Sequence, residues 1–415
     1  MNDELYMRRA LELAKRGSGW VNPNPLVGAV VVRDGRVIGE GWHPAFGELH
    51  AERQALADCR RRGEDPQGAT IYVTLEPCCH TGKTPPCTEA LIEAGISCVV
   101  MGAPDPNPRV DGGGIKQLKQ AGIEVVEGVL QEECIEINKP FFHFIKTGMP
   151  YVILKYAMTL DGKIATRSGK SKWVTGEAAR RRVHQDRQRY AAVMVGVNTV
   201  IKDDPLLTCR LDCFDDEDTL SDSVQKHDFE DELERELAED EAAYERAEMQ
   251  EAGGLQNEPT FKMKRSNPIR IVCDTHLRTP LDSQIVRTAA EVPTYIATAE
   301  TNLEKHMPYR EQECDIIVVP EAAGHIDIEI LMKKLGELGI DSVIVEGGSE
   351  INWSVLAYEV VSKVQAYVAP KIFGGSKAPS PVAGFGVEAP KYAIALSSPQ
   401  VTRLGNDLLI ECEVL

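Results

Sequence analysis

The feature that most restricts this fold is a set of metal-ligating side chains drawn from three separate segments. They are His50 in His50-Ala51-Glu52, Cys78 after Pro77, and Cys87. One imidazole and two thiolates can share a zinc ion only where the fold brings all three segments to one point. They leave the fourth tetrahedral position open, as a catalytic site requires. A helix from about Ala51 to Arg62 follows the histidine, and a buried-type strand, Ala69 to Leu75, runs into Pro77-Cys78. A further helix, Thr88 to Ala94, follows Cys87. Partial positive charge at helix starts favours a thiolate over a thiol. Glu52, two residues from the histidine, is placed to take a proton from water and deliver it to a leaving amine. His-x-Glu alone is weak, but with Pro-Cys at a strand end it points to the H-x-E…P-C-x-x-C signature of zinc deaminases. This chain departs from that signature, because its second cysteine comes nine positions after the first. Cys79 and His80 are chemically able to ligate as well. Adjacent side chains usually diverge, so Cys79 reads as a spectator, and Lys83-Thr84-Pro85-Pro86 as a substrate-facing wall.

The surrounding pattern is α/β. Leu5, Tyr6, Ala10, Leu13 and Ala14 share one helical face that ends at Gly17. Gly28–Arg33 and Arg36–Glu40 read as a hairpin, because Asp34-Gly35 favours the left-handed turn conformation. A strand at Ser97–Met101, a helix near Ile115–Ala121 and a short strand at Ile123–Val126 complete the first series. Strands alternating with helices imply layered α/β architecture. A boundary falls at Lys146–Pro150, giving domains at 1–147 and 148–415. The second series has strands at Tyr151–Lys155, Ala191–Val197, Ile269–Cys273, Thr294–Ala297, Asp315–Val319, Ser342–Val345 and Lys363–Val368. Two domains suit 415 residues, more than one core usually supports.

Charge narrows the partners. The net charge is −18, but about 212–258 holds 19 acidic and 3 basic residues. Removing those from the chain's 64 acidic and 46 basic leaves 45 and 43, so the acidity belongs to one insertion. That segment reads as a solvated helix or a disordered insertion without catalytic function. No basic face suits a nucleic-acid backbone, and no run nears the roughly 18 to 20 apolar residues of a membrane span. The N-terminus lacks a signal-peptide pattern, so the chain reads as cytoplasmic, with its eleven cysteines reduced.

Taken by residues alone, the second half offers only nucleotide-binding hints. Val343–Val345, Glu346-Gly347-Gly348-Ser349 and a helical stretch from about Asn352 make strand, glycine turn and helix, whose backbone amides can hold phosphate. Arg187 lies in a run with Arg180, Arg181, Arg182 and Arg189, where most arginines face solvent. Trp173, taken alone, reads as core. Gly112-Gly113-Gly114 begins like a dinucleotide fingerprint but has Gln117 at its sixth position. Gly82-Lys83-Thr84 ends like a P-loop whose first position is Pro77.

Several longer stretches carry a resemblance across nearly the whole chain. Asn24-Pro-Leu-Val-Gly28, His50-Ala-Glu52 and Leu75-Glu-Pro-Cys-Cys-His-Thr-Gly-Lys-Thr-Pro-Pro-Cys87 resemble the bifunctional riboflavin-biosynthesis deaminase/reductase family, where the long step between cysteines is normal. Lys155–Lys163, Ser171-Lys-Trp173, Gly196–Arg210 and Val345–Ser349 are similar to its reductase half. The resemblance implies a cytidine-deaminase-like three-layer α/β/α domain followed by a dihydrofolate-reductase-like α/β domain using NADPH. It implies zinc on His50, Cys78 and Cys87, with Glu52 as proton shuttle, and substrate contacts by Asn24, His43, His80 and Lys83. In the second half it implies cofactor contacts at Ala157, Trp173, Thr199, Asp203 and the turn from Gly348 and Ser349 to Ser354. Substrate contacts there are Ser171, Arg187, Leu207, Arg210 and Glu346, with Lys155 and Asp203 as proton-transfer groups. The implied substrate is a small phosphorylated pyrimidine, and the family is compatible with a homo-oligomer. A nucleic-acid base deaminase with a C-terminal binding module is the alternative, as is a protein with a structural zinc.

Overall fold

The computed structural model describes residues 3–79, 85–107, 110, 112–211 and 267–415, within the compact unit formed by 1–210 and 266–415. The expected acidic insertion, His80 and Lys83 lie outside the described residues.

The N-terminal half is built on a five-stranded sheet in the order β2-β1-β3-β4-β5. Its strands are β1 (Gly28–Arg33), β2 (Arg36–Trp42), β3 (Thr70–Leu75), β4 (Cys98–Ala103) and β5 (Glu124–Val126). β1 pairs antiparallel with β2 and β3, whereas β3, β4 and β5 run parallel. The hairpin turn is as expected, with Asp34 and Gly35 at φ 53° and 77°. Six helices cover the sheet: α1 (Asp3–Lys15), α2 (Ala51–Arg61), α3 (Cys87–Glu93), α4 (Gly113–Gln120), α5 (Gln131–Glu136) and α6 (Lys139–Thr147).

Alternation along β1 explains the layering. Ala29 and Val31 pack with Ala51, Ala55 and Leu56 of α2, Leu91 of α3 and Leu118 of α4. Val30 and Val32 point the other way, to Met7, Ala10 and Leu11 of α1 and Phe141 and Phe142 of α6. Burying each of the larger of these side chains, valine, leucine, methionine or phenylalanine, contributes roughly 1.5–3 kcal/mol. On α1 the fully buried stripe is Met7, Ala10, Leu11, Leu13 and Ala14, while Leu5 and Tyr6 stay half-buried, a rotation from the expected face.

The C-terminal half contains a nine-stranded sheet in the order β10-β9-β8-β7-β13-β6-β14-β16-β15. In chain order these are β6 (Tyr151–Thr159), β7 (Ala192–Gly196), β8 (Ile269–Cys273), β9 (Thr294–Thr298) and β10 (Asp315–Val318). After a two-residue pair, β11 (Glu321–Ala322) and β12 (His325–Ile326), come β13 (Ser342–Val345), β14 (Val361–Ala369), β15 (Gln400–Leu404) and β16 (Asp407–Glu413). The strands from β10 to β14 in the sheet are parallel, and β16 and β15 close it antiparallel. Apolar clusters lie on both faces. Val152, Leu154, Val343 and Val345 meet the helix Ile328–Glu337 on one; Ile153, Val193, Val195 and Ile344 meet α8 (Val197–Asp203) on the other.

Several elements differ from expectation. α5 and the β15–β16 hairpin carry no clean apolar period, β15 is mostly exposed, and α6 is unexpected although Phe141, Phe142, Phe144 and Ile145 line one face. β6 continues four residues past Lys155 because β14 pairs with it through Thr159. β7 stops at Gly196, where α8 begins, not at Val197.

Candidate active sites

In the first half, α2 begins immediately after His50, whose extended backbone caps the helix. Cys87 opens α3 behind Pro86, and Cys78 follows the end of β3. His50 Nδ1 lies 3.5 Å from Cys78 Sγ and 3.4 Å from Cys87 Sγ. The three ligand atoms fall within 4.8 Å of one another, and Cys79 is not in the group. The Cys87 N–H also donates to Cys78 Sγ at 3.3 Å. That donor set, one nitrogen and two sulfurs, matches the chemistry of an open zinc site.

The two thiols are pushed apart in acidity: the hydrogen bond between them raises Cys87, with burial adding to it, and lowers Cys78. Cys78 is drawn down to about 4, first by its hydrogen bond with Cys87 and then by His50, against the opposing effect of burial. Glu52 is 3% exposed in the first turn of α2, and burial raises its carboxyl above the usual range, with Cys78 adding to the effect. A buried carboxyl in the first turn of α2, two residues from His50, is placed for proton transfer. Beside it, His43 Nδ1 meets the Leu49 carbonyl at 3.2 Å, so Nδ1 carries the proton and Nε2 accepts from Asn24 Nδ2 at 3.1 Å. Burial lowers His43 to about 4, which keeps this ring neutral. Its ring centroid is 5.3 Å from that of His50, so the structure brings Asn24, His43 and the three sulfur and nitrogen ligands together.

The second cluster forms at the carboxyl ends of the central parallel strands, where open α/β sheets carry their clefts. β6 is buried from Tyr151 to Leu154 and half-buried from Lys155 to Met158, with the Lys155 side chain 13% exposed. Glu346 follows β13. Arg187, on helix α7 (Glu177–Arg189), donates Nε to Glu346 Oε1 at 2.6 Å and Nη2 to Oε2 at 2.8 Å. This paired geometry corrects the solvent-facing expectation for that arginine run: Arg187 is 9% exposed. Its Nη1 also donates to the Thr208 carbonyl at 3.1 Å. Lys155 Nζ lies 3.7 Å from Glu346 Oε2. Burial opposes ionisation of Glu346, but Arg187 and Lys155 outweigh it and hold the carboxyl at about 2. Burial lowers the Lys155 ammonium, with Glu346 opposing and Arg187 reinforcing.

Other expected residues surround this cluster. Gly347 has φ +102°, a conformation that demands glycine, and Gly348 caps the helix Ser349–Ala357. A Cβ placed on Gly348 would sit 3.6 Å from Thr199 Oγ1, so the turn and Thr199 adjoin. Leu207 is buried, while Arg210 is exposed and donates Nη1 to Thr208 Oγ1 at 2.9 Å. Ser171 is half-buried, and Asp203 is exposed at the end of α8, taking no part in the Lys155–Arg187–Glu346 cluster. Trp173 is 65% exposed, which corrects its reading as core, and its ring lies 4.6 Å from the Arg180 guanidinium. Sequence reasoning missed His184, whose Nδ1 accepts the Arg210 backbone N–H at 3.0 Å. A single histidine among arginines gave no signal for it.

The comparisons match both halves of the chain to known proteins. A model of the cytidine and deoxycytidylate deaminase zinc-binding region matches residues 1–103, and one of the RibD C-terminal domain matches 150–410. The riboflavin biosynthesis protein RibD of Actinobacillus pleuropneumoniae is 45% identical, covering 100% of this chain and 96% of that protein. That of Escherichia coli is 38% identical over 90% of this chain and 89% of its own. Among solved structures, a diaminohydroxyphosphoribosylaminopyrimidine deaminase/5-amino-6-(5-phosphoribosylamino)uracil reductase from Thermotoga maritima is 35% identical with a TM-score of 0.78. It covers 100% of this chain and 99% of its own.

Proposed function

This chain belongs to the RibD family of riboflavin-biosynthesis proteins, and from that membership we propose residue by residue how its two halves work. It is a bifunctional deaminase and reductase that uses zinc and NADPH. We assign the deaminase to residues 1–147 and the reductase to 148–415. The observation that carries the reading is the convergence of His50, Cys78 and Cys87 beside buried Glu52, in a chain whose remainder matches the reductase model.

The substrate proposed for the first half is 2,5-diamino-6-(5-phosphoribosylamino)pyrimidin-4(3H)-one. Zinc, held by His50, Cys78 and Cys87, supplies a Lewis acid that eases the deprotonation of water. Glu52 takes that proton and returns it to the departing amine, so water and the amino-bearing carbon become a carbonyl and ammonia. Asn24 and His43 orient the pyrimidine, and the neutral state of His43 suits it to hydrogen bonding without added charge. His80 and Lys83 remain assigned to substrate by family resemblance.

In the second half, bound NADPH would supply the hydride for conversion of the ribosyl group to ribityl. Ala157, Trp173, Thr199, Asp203 and the Gly348–Ser349 turn form its binding edge. Ser171, Arg187, Leu207, Arg210 and Glu346 hold the substrate, with the Arg210 guanidinium, on an exposed side chain, assigned to its phosphate. Lys155 is the better proton-transfer candidate of the two expected, because it is buried in the cluster and Asp203 is not. The substrate is a small phosphorylated pyrimidine, and no helix among the described residues is long and apolar enough to cross a membrane. Ten described cysteines without a disulfide fit the reducing cytoplasm.

The diaminopyrimidine ribotide supplied with NADPH should yield ammonia and then loss of NADPH absorbance. Ammonia without NADPH loss would reject the reductase assignment, and neither signal would reject both.

A further inference from the structure

Gly112-Gly113-Gly114 fails as a dinucleotide fingerprint, yet it opens α4, and α4 is fastened on both sides of Cys78. One fastening is Glu76, which is 3% exposed. Its Oε1 accepts the N–H of Gly114 at 3.1 Å and of Ile115 at 3.2 Å. Its Oε2 accepts the N–H of Gly112 at 3.2 Å and of Asp105 at 3.4 Å. Three of these four donors belong to the start of α4, where N–H groups lack partners within the helix and the helix dipole favours an anion. The approach is close: a Cβ on Gly114 would lie 2.1 Å from the Pro77 carbonyl oxygen. The other fastening starts at the Cys78 carbonyl, which accepts the Thr88 N–H at 3.2 Å. The Thr88 hydroxyl in turn donates to Gln117 Oε1, in the next turn of α4, at 2.6 Å.

Glu76, Pro77 and the Cys78 carbonyl are thus tied to one helix from both ends, and the tied stretch carries a ligand. We propose that Glu76 is a positioning residue of the metal centre, holding Cys78 through α4 at the distance from His50 and Cys87 that zinc requires. This rests on the zinc reading above. Groups that orient ligands typically change metal affinity 10–100-fold when altered. Glu76→Gln keeps the shape, but its amide nitrogen faces two backbone donors, so two of four hydrogen bonds become donor–donor contacts. Gln117→Ala is gentler, because Gln117 is only half-buried and a single link is lost.

The test uses the full zinc-loaded chain. Zinc release to a chromogenic chelator is timed, and the same samples are assayed for NADPH-dependent reduction of the deaminated substrate. Glu76→Gln should release zinc at least about tenfold faster and Gln117→Ala by a smaller factor, with the reduction rate held within about twofold. Unchanged release in Glu76→Gln would overturn the proposal, as would release and reduction failing together, which would make Glu76 a general stabiliser. If Glu76→Gln does not fold, Gln117→Ala decides, and wild-type release from it counts against the proposal. Wild-type protein that binds no zinc would instead reject the zinc reading itself.

Discussion

The two sites are built from opposite kinds of residues. The first uses His50 and Cys87 at helix starts and Cys78 after a strand, within 38 positions of sequence. The second joins Lys155, Arg187 and Glu346, common residues on a strand, a helix and a turn. Rare ligands advertise their chemistry by type and spacing. A lysine, an arginine or a glutamate acquires meaning only when burial forces it to find a partner, and burial is a property of the fold.

That contrast can be broken most forcefully at Glu52. Glu52→Ala should lower ammonia release roughly 10²–10⁴-fold while zinc content stays unchanged. Normal deamination by this variant would remove Glu52 from the proton path. At the second site, Glu346→Ala strands the buried Arg187 and Lys155 cations, and losing one partner of a buried pair costs about 3–5 kcal/mol. Calorimetry should show that loss as a lower unfolding temperature, with NADPH oxidation abolished. An unfolding temperature equal to wild type would mean the cluster is solvated, not buried.

The seam between the halves should be less sensitive than either site. Asn22 Nδ2 donates to Asp341 Oδ1 at 3.1 Å and Oδ2 at 3.0 Å, joining the two halves. Asn22→Ala should cost about 1 kcal/mol of stability and leave both activities in place. A larger loss of one activity would show that the seam tunes a site. A pH effect is expected at His184, which burial, then Arg187 and Arg210, lower to about 4. Its folded value lies below the unfolded one near 6.5, so between about pH 6.5 and 4 the unfolded chain binds the extra proton and stability falls with pH. His184→Gln should flatten the unfolding-temperature slope in that window relative to wild type; an unchanged slope would discount the buried neutral ring.

Much of the fold was legible from sequence, for physical reasons that also mark where reading stopped. Strands β1, β3, β8 and β13 are short apolar runs bounded by turn residues, and the structure places them within a residue or two of expectation. The β15–β16 hairpin was not legible, because an exposed edge strand with Gln400, Thr402 and Arg403 carries little apolar signal. The metal triad could be picked out by residue type. Arg187 could not be distinguished from Arg180 or Arg181, because only the helix's packing against Glu346 separates it from its neighbours. Trp173 failed in the opposite direction: a large apolar residue usually buried is held here in the open beside Arg180. Family resemblance supplied what local chemistry could not, by naming the positions without their geometry.

One chain carries two chemically separate centres, with the metal serving only the first. Zinc should therefore be stripped with a chelator and both reactions followed in the same preparation, supplying the deaminated ribotide with NADPH for the second. The account predicts that ammonia release stops and returns with added zinc, while reduction proceeds at the untreated rate. Loss of both reactions together, or deamination that survives zinc removal, would contradict it.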